Sequence, residues 1–248
     1  MGAGRLLTQA QPLTSERKAQ PRPYLQNNIN IGISSARYMS NFEHLKGQND
    51  YIWKEIFDWN VYRVEAKDIE NKNVLDIGGH YGFFSLLVSS LGAKNIVTVE
   101  ANPFHYVTLL KNTEGNSTIT PICGAVSSRS GKFLAIKSFD RVLSHRDNRK
   151  VCTVTVNDLI SLFPAHEDIV MKIDVEGGEY DIIFNSPASS FDRVTMIYIE
   201  IHGPPVTGRA ISDMLIKICS LGFNPIQKVI ITGPDECEVY KLVRTISF

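Results

Sequence analysis

From Asn73 onward the chain predicts an α/β fold: a mainly parallel sheet with helices on both faces, closed by an antiparallel hairpin. Three observations carry this expectation. Apolar strand-like runs alternate with helical segments, and the first run, "VLDIGGHYGFF", ends in a glycine-rich turn. The last two runs, "FNPIQKVII" and "CEVYKLVRT", flank the turn-rich "TGPDE" as a hairpin would.

The first unit reads as a strand from Val74 to Ile77 and a helix from Phe83 to Leu91, stopped by Gly92, a residue suited to positive φ after a helix. The second is a strand from Ile96 to Glu100 and a helix capped by Asn102 with Pro103 in its first turn, running to about Asn112. A shorter strand ends near Cys123. The stretch from Ser127 to Val151 is an insertion able to form an extra hairpin, and Thr155 with Asp158 three residues on opens another helix. "DIVMKIDV" and "MIYIEI" read as buried strands, and "ISDMLIKICSLG" as a helix ended by Gly222. With the final hairpin the count is about seven strands. Ahead of the sheet, Asp50 to Val64 spaces Ile52, Ile56, Phe57 and Val61 like one helix face. Trp53, Phe57, Trp59 and Tyr51 in that segment either pack on the sheet or line an acceptor pocket.

One domain is expected. Residues 1–22 are polar and proline-punctuated and read as a mobile tail, with 23–72 as a helical cover and 73–248 as the core. Twenty-six basic and twenty-six acidic side chains balance, which removes a global electrostatic argument for nucleic acid or an anionic membrane. No apolar run approaches the roughly 20 residues of a bilayer span, and Met1 to Gln20 lacks the apolar core of a secretory signal. A soluble, cytoplasmic protein is expected. Cys123, Cys152, Cys219 and Cys237 lie far apart without zinc-site spacing, so they are read as reduced, mostly packed thiols.

A dinucleotide fingerprint started at Gly78 requires glycine where His80 and Phe83 stand, so that reading fails. The pattern present is DxGxxxG, formed by Asp76, Gly78 and Gly82. Either it is a tight turn, or its missing side chains admit a ligand against the main chain. Glu100 follows Asp76 by 24 positions, near the distance at which an acid reaches ribose hydroxyls in nucleotide-binding α/β folds. It also suits a helix N-terminus. "MKIDVEGGEYDII" sets Asp174 and Glu176 at the carboxyl end of another strand, the edge where open α/β sheets bind ligands.

DxGxxxG resembles the first motif of Rossmann-like S-adenosylmethionine-dependent methyltransferases. Together, "VLDIGGHYGFFS", "VTVEANP", "CGAVSS", "VTVNDLI", "MKIDVEGGEYDII" and "IYIEIH" resemble the FkbM-type methyltransferases, over roughly Asn73 to His202. The most specific stretch is KxDxEGxE, from Lys172, Asp174, Glu176, Gly177 and Glu179. The resemblance implies a Rossmann-like sheet in the order 3-2-1-4-5-7-6, with S-adenosyl-L-methionine as cofactor. It carries cofactor binding onto Asp76, Gly78, Gly79, His80, Gly82, Phe83, Glu100, Ala101 and Asn102, with Gly124 and Ala125 near the adenine. His80 departs from the asparagine more usual in the family.

The resemblance also implies methyl transfer to a hydroxyl of a small molecule, sugar or glycan. An alcohol must lose its proton, and Asp174, Glu176, Glu200 and His202 are the candidate bases, His202 leading on intrinsic pKa. Asp174 alternatively holds the cofactor ammonium, and Glu176 alternatively caps the next helix. Nothing in the spacing of these four forces a metal site, so none is assigned. The sequence lacks the Pro-Pro-aromatic signal of base amino-methylation and the lysine of ribose 2′-O-methylation after "EIH". Nucleic-acid or protein methylation, or a silent cofactor-fold scaffold, are the alternatives, with an oxidoreductase behind them.

Overall fold

The computed structural model describes residues 42–136, 149–203, 210–231 and 237–245. The tail at 1–22, the middle of the 127–151 insertion and the turn between the last two strands lie outside them.

Seven strands form the main sheet, in the order β3-β2-β1-β7-β8-β10-β9. These are β1 (Asn73–Ile77), β2 (Asn95–Glu100), β3 (Ile119–Cys123), β7 (Ile169–Ile173), β8 (Val194–His202), β9 (Phe223–Ile231) and β10 (Cys237–Arg244). Counted within this sheet alone, that is the expected 3-2-1-4-5-7-6. The five strands from β3 to β8 run parallel, and β10 is antiparallel to both β8 and β9. The insertion supplies a second sheet in the order β4-β6-β5, from β4 (Ala125–Val126), β5 (Phe133–Ile136) and β6 (Arg149–Val154). Here β5 and β6 pair antiparallel, as the expected hairpin requires.

Strand alternation sorts the two faces. Leu75, Ile77, Val97, Val99, Met171, Ile173, Ile197 and Ile199 build one core with residues of α5 (Val156–Ile160), α6 (Glu179–Asn185) and α7 (Ile211–Ser220). Val74, Ile96, Val170 and Tyr198 build the other, with α1 (Asp50–Trp53), α2 (Ala66–Ile69) and α3 (Phe83–Ser90). Even-numbered residues of β1, β2, β7 and β8 therefore share one face, as the register pairs Asp76 with Thr98 and Lys172, and Lys172 with Tyr198, demonstrate. Towards the carboxyl ends that face turns from apolar to charged.

Local signals set the helix ends. Gly92 has φ 88° just past α3, and Asn102 Oδ1 accepts from Phe104 N at 3.0 Å at the start of α4 (Pro103–Asn112). Thr155 and Asp158 form the expected capping box on α5. One helix is shorter than its spacing predicts. α1 continues as a π-helical stretch, Lys54–Asp58, and stops there. Asn60, at φ 43°, donates to Val64 O and accepts from Val64 N, both at 2.9 Å. An asparagine side chain that bonds nearby backbone in this way competes with the helix. The loop it forms delivers Tyr62 to the charged face.

α2 docks through a buried ionic cluster. Lys241 Nζ donates to Asp68 Oδ2 at 2.6 Å, and Tyr198 OH donates to the same oxygen at 3.0 Å. Cutting one partner from a buried pair strands the other charge. Lys241→Met is expected to lower unfolding free energy by about 3 kcal/mol in urea titrations, with Asp68→Asn restoring part of it. An unchanged midpoint in the single variant refutes that account.

Candidate active site

The glycine turn sits between the ends of β1 and β2. Gly78 N and Gly79 N both donate to Val99 O at 2.9 Å. Gly78 has φ 87°, and a Cβ there would lie 1.7 Å from the carbonyl oxygen of Asp174. A Cβ at Gly79 would lie 2.2 Å from Thr98 Oγ1. The space where side chains of these two residues would stand is thus filled by Asp174 and Thr98, so the tight turn itself requires glycine at both positions. Gly82, at φ 83°, turns the chain into α3.

Behind the turn Asp76 is fully buried and accepts from Ser85 Oγ at 2.7 Å and Thr98 Oγ1 at 3.2 Å. Its Oδ1 has no hydrogen bond among the described residues. Lys172 Nζ lies 3.5 Å from that oxygen, 3.2 Å from Asp174 Oδ2, and donates to Gly78 O at 2.7 Å. Burial alone would lower the Lys172 pKa, but Asp174 and Asp76 hold it above its ordinary value.

Glu100 ends β2 with its carboxylate oriented by backbone. Oε2 accepts from His80 N at 2.7 Å and Oε1 from Asn102 N at 2.6 Å. Each oxygen keeps a further lone pair, so the group fits a ribose diol. Burial pushes its pKa up. Gly124 N donates to Glu100 O at 3.0 Å, placing Gly124 and Ala125 beside it. His80 takes φ 48° and packs its ring on Tyr81 and His105, each with centroids 4.2 Å away. Ala101 precedes the Asn102 cap. The Phe83 side chain is 1% exposed and packs edge-on to Trp53 in the core, so only its main chain, at the start of α3, faces the turn. Trp53 and Phe57 are core as well. The thiols need a correction, because Cys123, Cys152 and Cys219 are exposed and only Cys237 is buried.

All four candidate bases converge at the ends of β7 and β8. Tyr62 OH lies 2.8 Å from Asp174 Oδ2 and 3.1 Å from Glu200 Oε2. One hydroxyl has one proton to give, so the two acids compete for it. Burial opposes ionisation of Asp174, yet Lys172, His202 and Tyr62 together hold its pKa below the usual carboxylate range. Burial, then the neighbouring Asp174 charge, push Glu200 up to about 7. Cys237 Sγ donates to Glu200 Oε1 at 2.8 Å. His202 Nδ1 is 3.0 Å from Glu179, and its Nε2 is 3.3 Å from Glu176 and 3.6 Å from Glu200. Burial works against its charge, but Glu179, Asp174 and Glu200 raise its pKa to about 10. A histidine so held is an imidazolium at neutral pH, which reverses its leading place among the bases. Glu176, expected alternatively as a helix cap, leaves the helix N-cap position to Gly178.

The sequence reading assigned no role to Tyr62, Lys172 or Cys237. Lys172 and Cys237 had a signal, since strand alternation puts Lys172 on the face of Asp76 and Asp174, and Cys237 opposite His202 across β8 and β10. Tyr62 had none.

This fold, with an acid at the end of β2 and a glycine turn after β1, defines an α/β enzyme of the nucleotide-cofactor class. The methyltransferase FkbM domain matches residues 76–225, more than half of the sequence. The chain belongs to the FkbM methyltransferase family, and its methyl donor is S-adenosylmethionine. No curated protein matches it significantly. Among solved structures it is similar to TrmK of M. capricolum in complex with S-adenosyl-homocysteine, at 13% identity and TM-score 0.43 over 73% of this chain and 66% of that one. It is also similar to ribosomal protein L11 methylase from Lactobacillus delbrueckii subsp. bulgaricus, at 11% identity and TM-score 0.43 over 76% and 79%. Trm5b from Pyrococcus abyssi is similar at 14% identity and TM-score 0.45, over 73% and 47%.

The His202 cage sets a pH dependence. A histidine raised from 6.5 unfolded to about 10 folded contributes stability that is complete below pH 6.5 and lost as pH rises towards 10. In chelator-containing buffer, unfolding free energy is expected to fall by about 1 kcal/mol or more between pH 6.5 and 9.5, and His202→Gln to flatten that fall. A wild-type profile no steeper than the variant's would show that the cage does not hold a proton.

Proposed function

We propose that the protein methylates a hydroxyl oxygen of a sugar, glycan or other small polyol, with Glu200 as the general base. The observation that supports this reading is geometric: Asp174 and Glu200 share one tyrosine hydroxyl beside the glycine turn, and His202 stands 3.6 Å from Glu200. When bound, S-adenosylmethionine supplies an electrophilic methyl group on a sulfonium. The chain must hold an acceptor oxygen in line and take its proton.

Glu100 binds the ribose hydroxyls of the donor, and Asp76 with Lys172 fixes the turn on which the donor rests. Glu200 accepts the hydroxyl proton at a carboxylate oxygen, a role its raised pKa also suits. Asp174 stays ionised beside Lys172, and Tyr62, raised well above its ordinary pKa by burial and then by Asp174, stays a donor. Acids in this number suit a neutral polyol, whose hydroxyl groups donate to them. No helix among the described residues is long and apolar enough to cross a membrane. A cytoplasmic site of action accompanies the proposal, supported by four unpaired cysteines.

Product formation from a panel of sugars, glycans and hydroxylated small molecules tests the reading. Glu200→Gln is expected to lower turnover about 100-fold or more while calorimetry shows donor affinity within about twofold of wild type. Glu100→Ala is expected to lose donor binding. Full turnover in Glu200→Gln would end the base assignment, and methylation of RNA or protein with no hydroxylated small molecule accepted would overturn the acceptor class.

A further inference from the structure

We infer that Asp174, Glu176 and His202 form a binding site for a divalent cation of the magnesium and manganese class. One ligand atom from each of the three lies within 4.8 Å of the others. Oxygen and imidazole donors around one such ion sit about 2.0–2.2 Å from it, so small side-chain rotations close the set. Asp174 and Glu176 come from the one turn between β7 and α6, and His202 comes from the last position of β8. Tertiary structure therefore adds an imidazole from a second strand to the two carboxylates of that turn.

The histidine is already oriented for the task. Its Nδ1 faces Glu179, which is fully buried and also accepts from Val175 N at 3.0 Å and Gly177 N at 2.9 Å. That is the carboxylate–histidine arrangement that fixes a metal-binding tautomer and leaves Nε2 directed at the ion. On binding, the cation replaces the Nε2 proton, which leaves to solvent, while Nδ1–H stays on Glu179. Charge favours the same outcome, since Asp174 and the three acids around His202, namely Glu176, Glu179 and Glu200, outnumber Lys172, which lies 3.2 Å from Asp174. Glu176 is 72% exposed, so one side of the ion stays open to an exchangeable oxygen ligand. Three protein donors leave about three positions of an octahedral ion for water or an acceptor oxygen. Only that last use, polarising the acceptor, rests on the proposed O-methylation; the binding itself does not.

The test is Mn²⁺ added to the purified full chain after chelator dialysis, with free Mn²⁺ followed by electron paramagnetic resonance. One ion per chain is expected, weakened at least tenfold in Glu176→Gln and in His202→Gln. Glu176 is exposed, so its variant keeps the fold, and a cooperative melt verifies this. Calorimetry with S-adenosylhomocysteine on the same samples reads the donor site separately. The inference is overturned if folded protein takes up no Mn²⁺ at millimolar concentration, or if Glu176→Gln binds it as wild type does.

Discussion

The site depends on one buried ammonium. Lys172 is 4% exposed at its side chain and makes three connections: a hydrogen bond to the carbonyl of Gly78, and ion pairs to Asp76 and Asp174. Desolvating a charge this far costs several kcal/mol before any partner is counted. The partners recover it because they come from the neighbouring strand β1, the turn that follows it, and the residue just past the end of Lys172's own strand, β7. The rings of Tyr62 and Phe84 lie 5.8 Å and 5.9 Å from the ammonium and close the remaining side. One cation thereby fixes the level of the glycine turn against the acids at the end of β7. Without it the buried carboxylate of Asp76 and the partly exposed one of Asp174 would face each other across the strands, and the turn would lose a bond to its first glycine.

The same geometry explains what the sequence made legible. Strand ends, the Gly92 and Gly222 helix stops and the Asn102 and Thr155 caps are local rules, satisfied by residues within a few positions of one another. The convergence of Asp76, Glu100, Asp174 and Glu200 is equally local in origin, because a parallel sheet aligns its carboxyl ends and alternation sets the face. Tyr62 could not be read this way. It lies 112 residues from Asp174 and 138 from Glu200 in the chain, in a loop that exists because Asn60 captures Val64. The apolar spacing at Ile52, Ile56 and Phe57 carried the helix prediction straight through that break. The direction of the Phe83 side chain was illegible for a related reason: a residue in the first turn of a helix near a ligand edge has either a site-facing or a core-facing side chain, and only Trp53 and Phe57 decide which.

Ordering the bases failed for a deeper reason. Intrinsic pKa belongs to a residue type and favours histidine near neutrality, whereas the shift belongs to the surroundings. His202 stands among Glu176, Glu179 and Glu200, so its proton is held. Asp174 and Glu200 are two carboxylates with one tyrosine hydroxyl between them, and Lys172 breaks the tie by sitting beside Asp174. Environments that push two acids apart assign their parts: one remains an anion and the other exchanges a proton. The assignment also narrows the proposed acceptor. A neutral diol brought to this edge would meet acceptors for its hydroxyl protons in Asp174, Glu176 and Glu200. The acids gathered at this edge, among them the Asp174 charge that adds to burial in raising Glu200, thus also supply acceptors to a hydroxyl-rich partner.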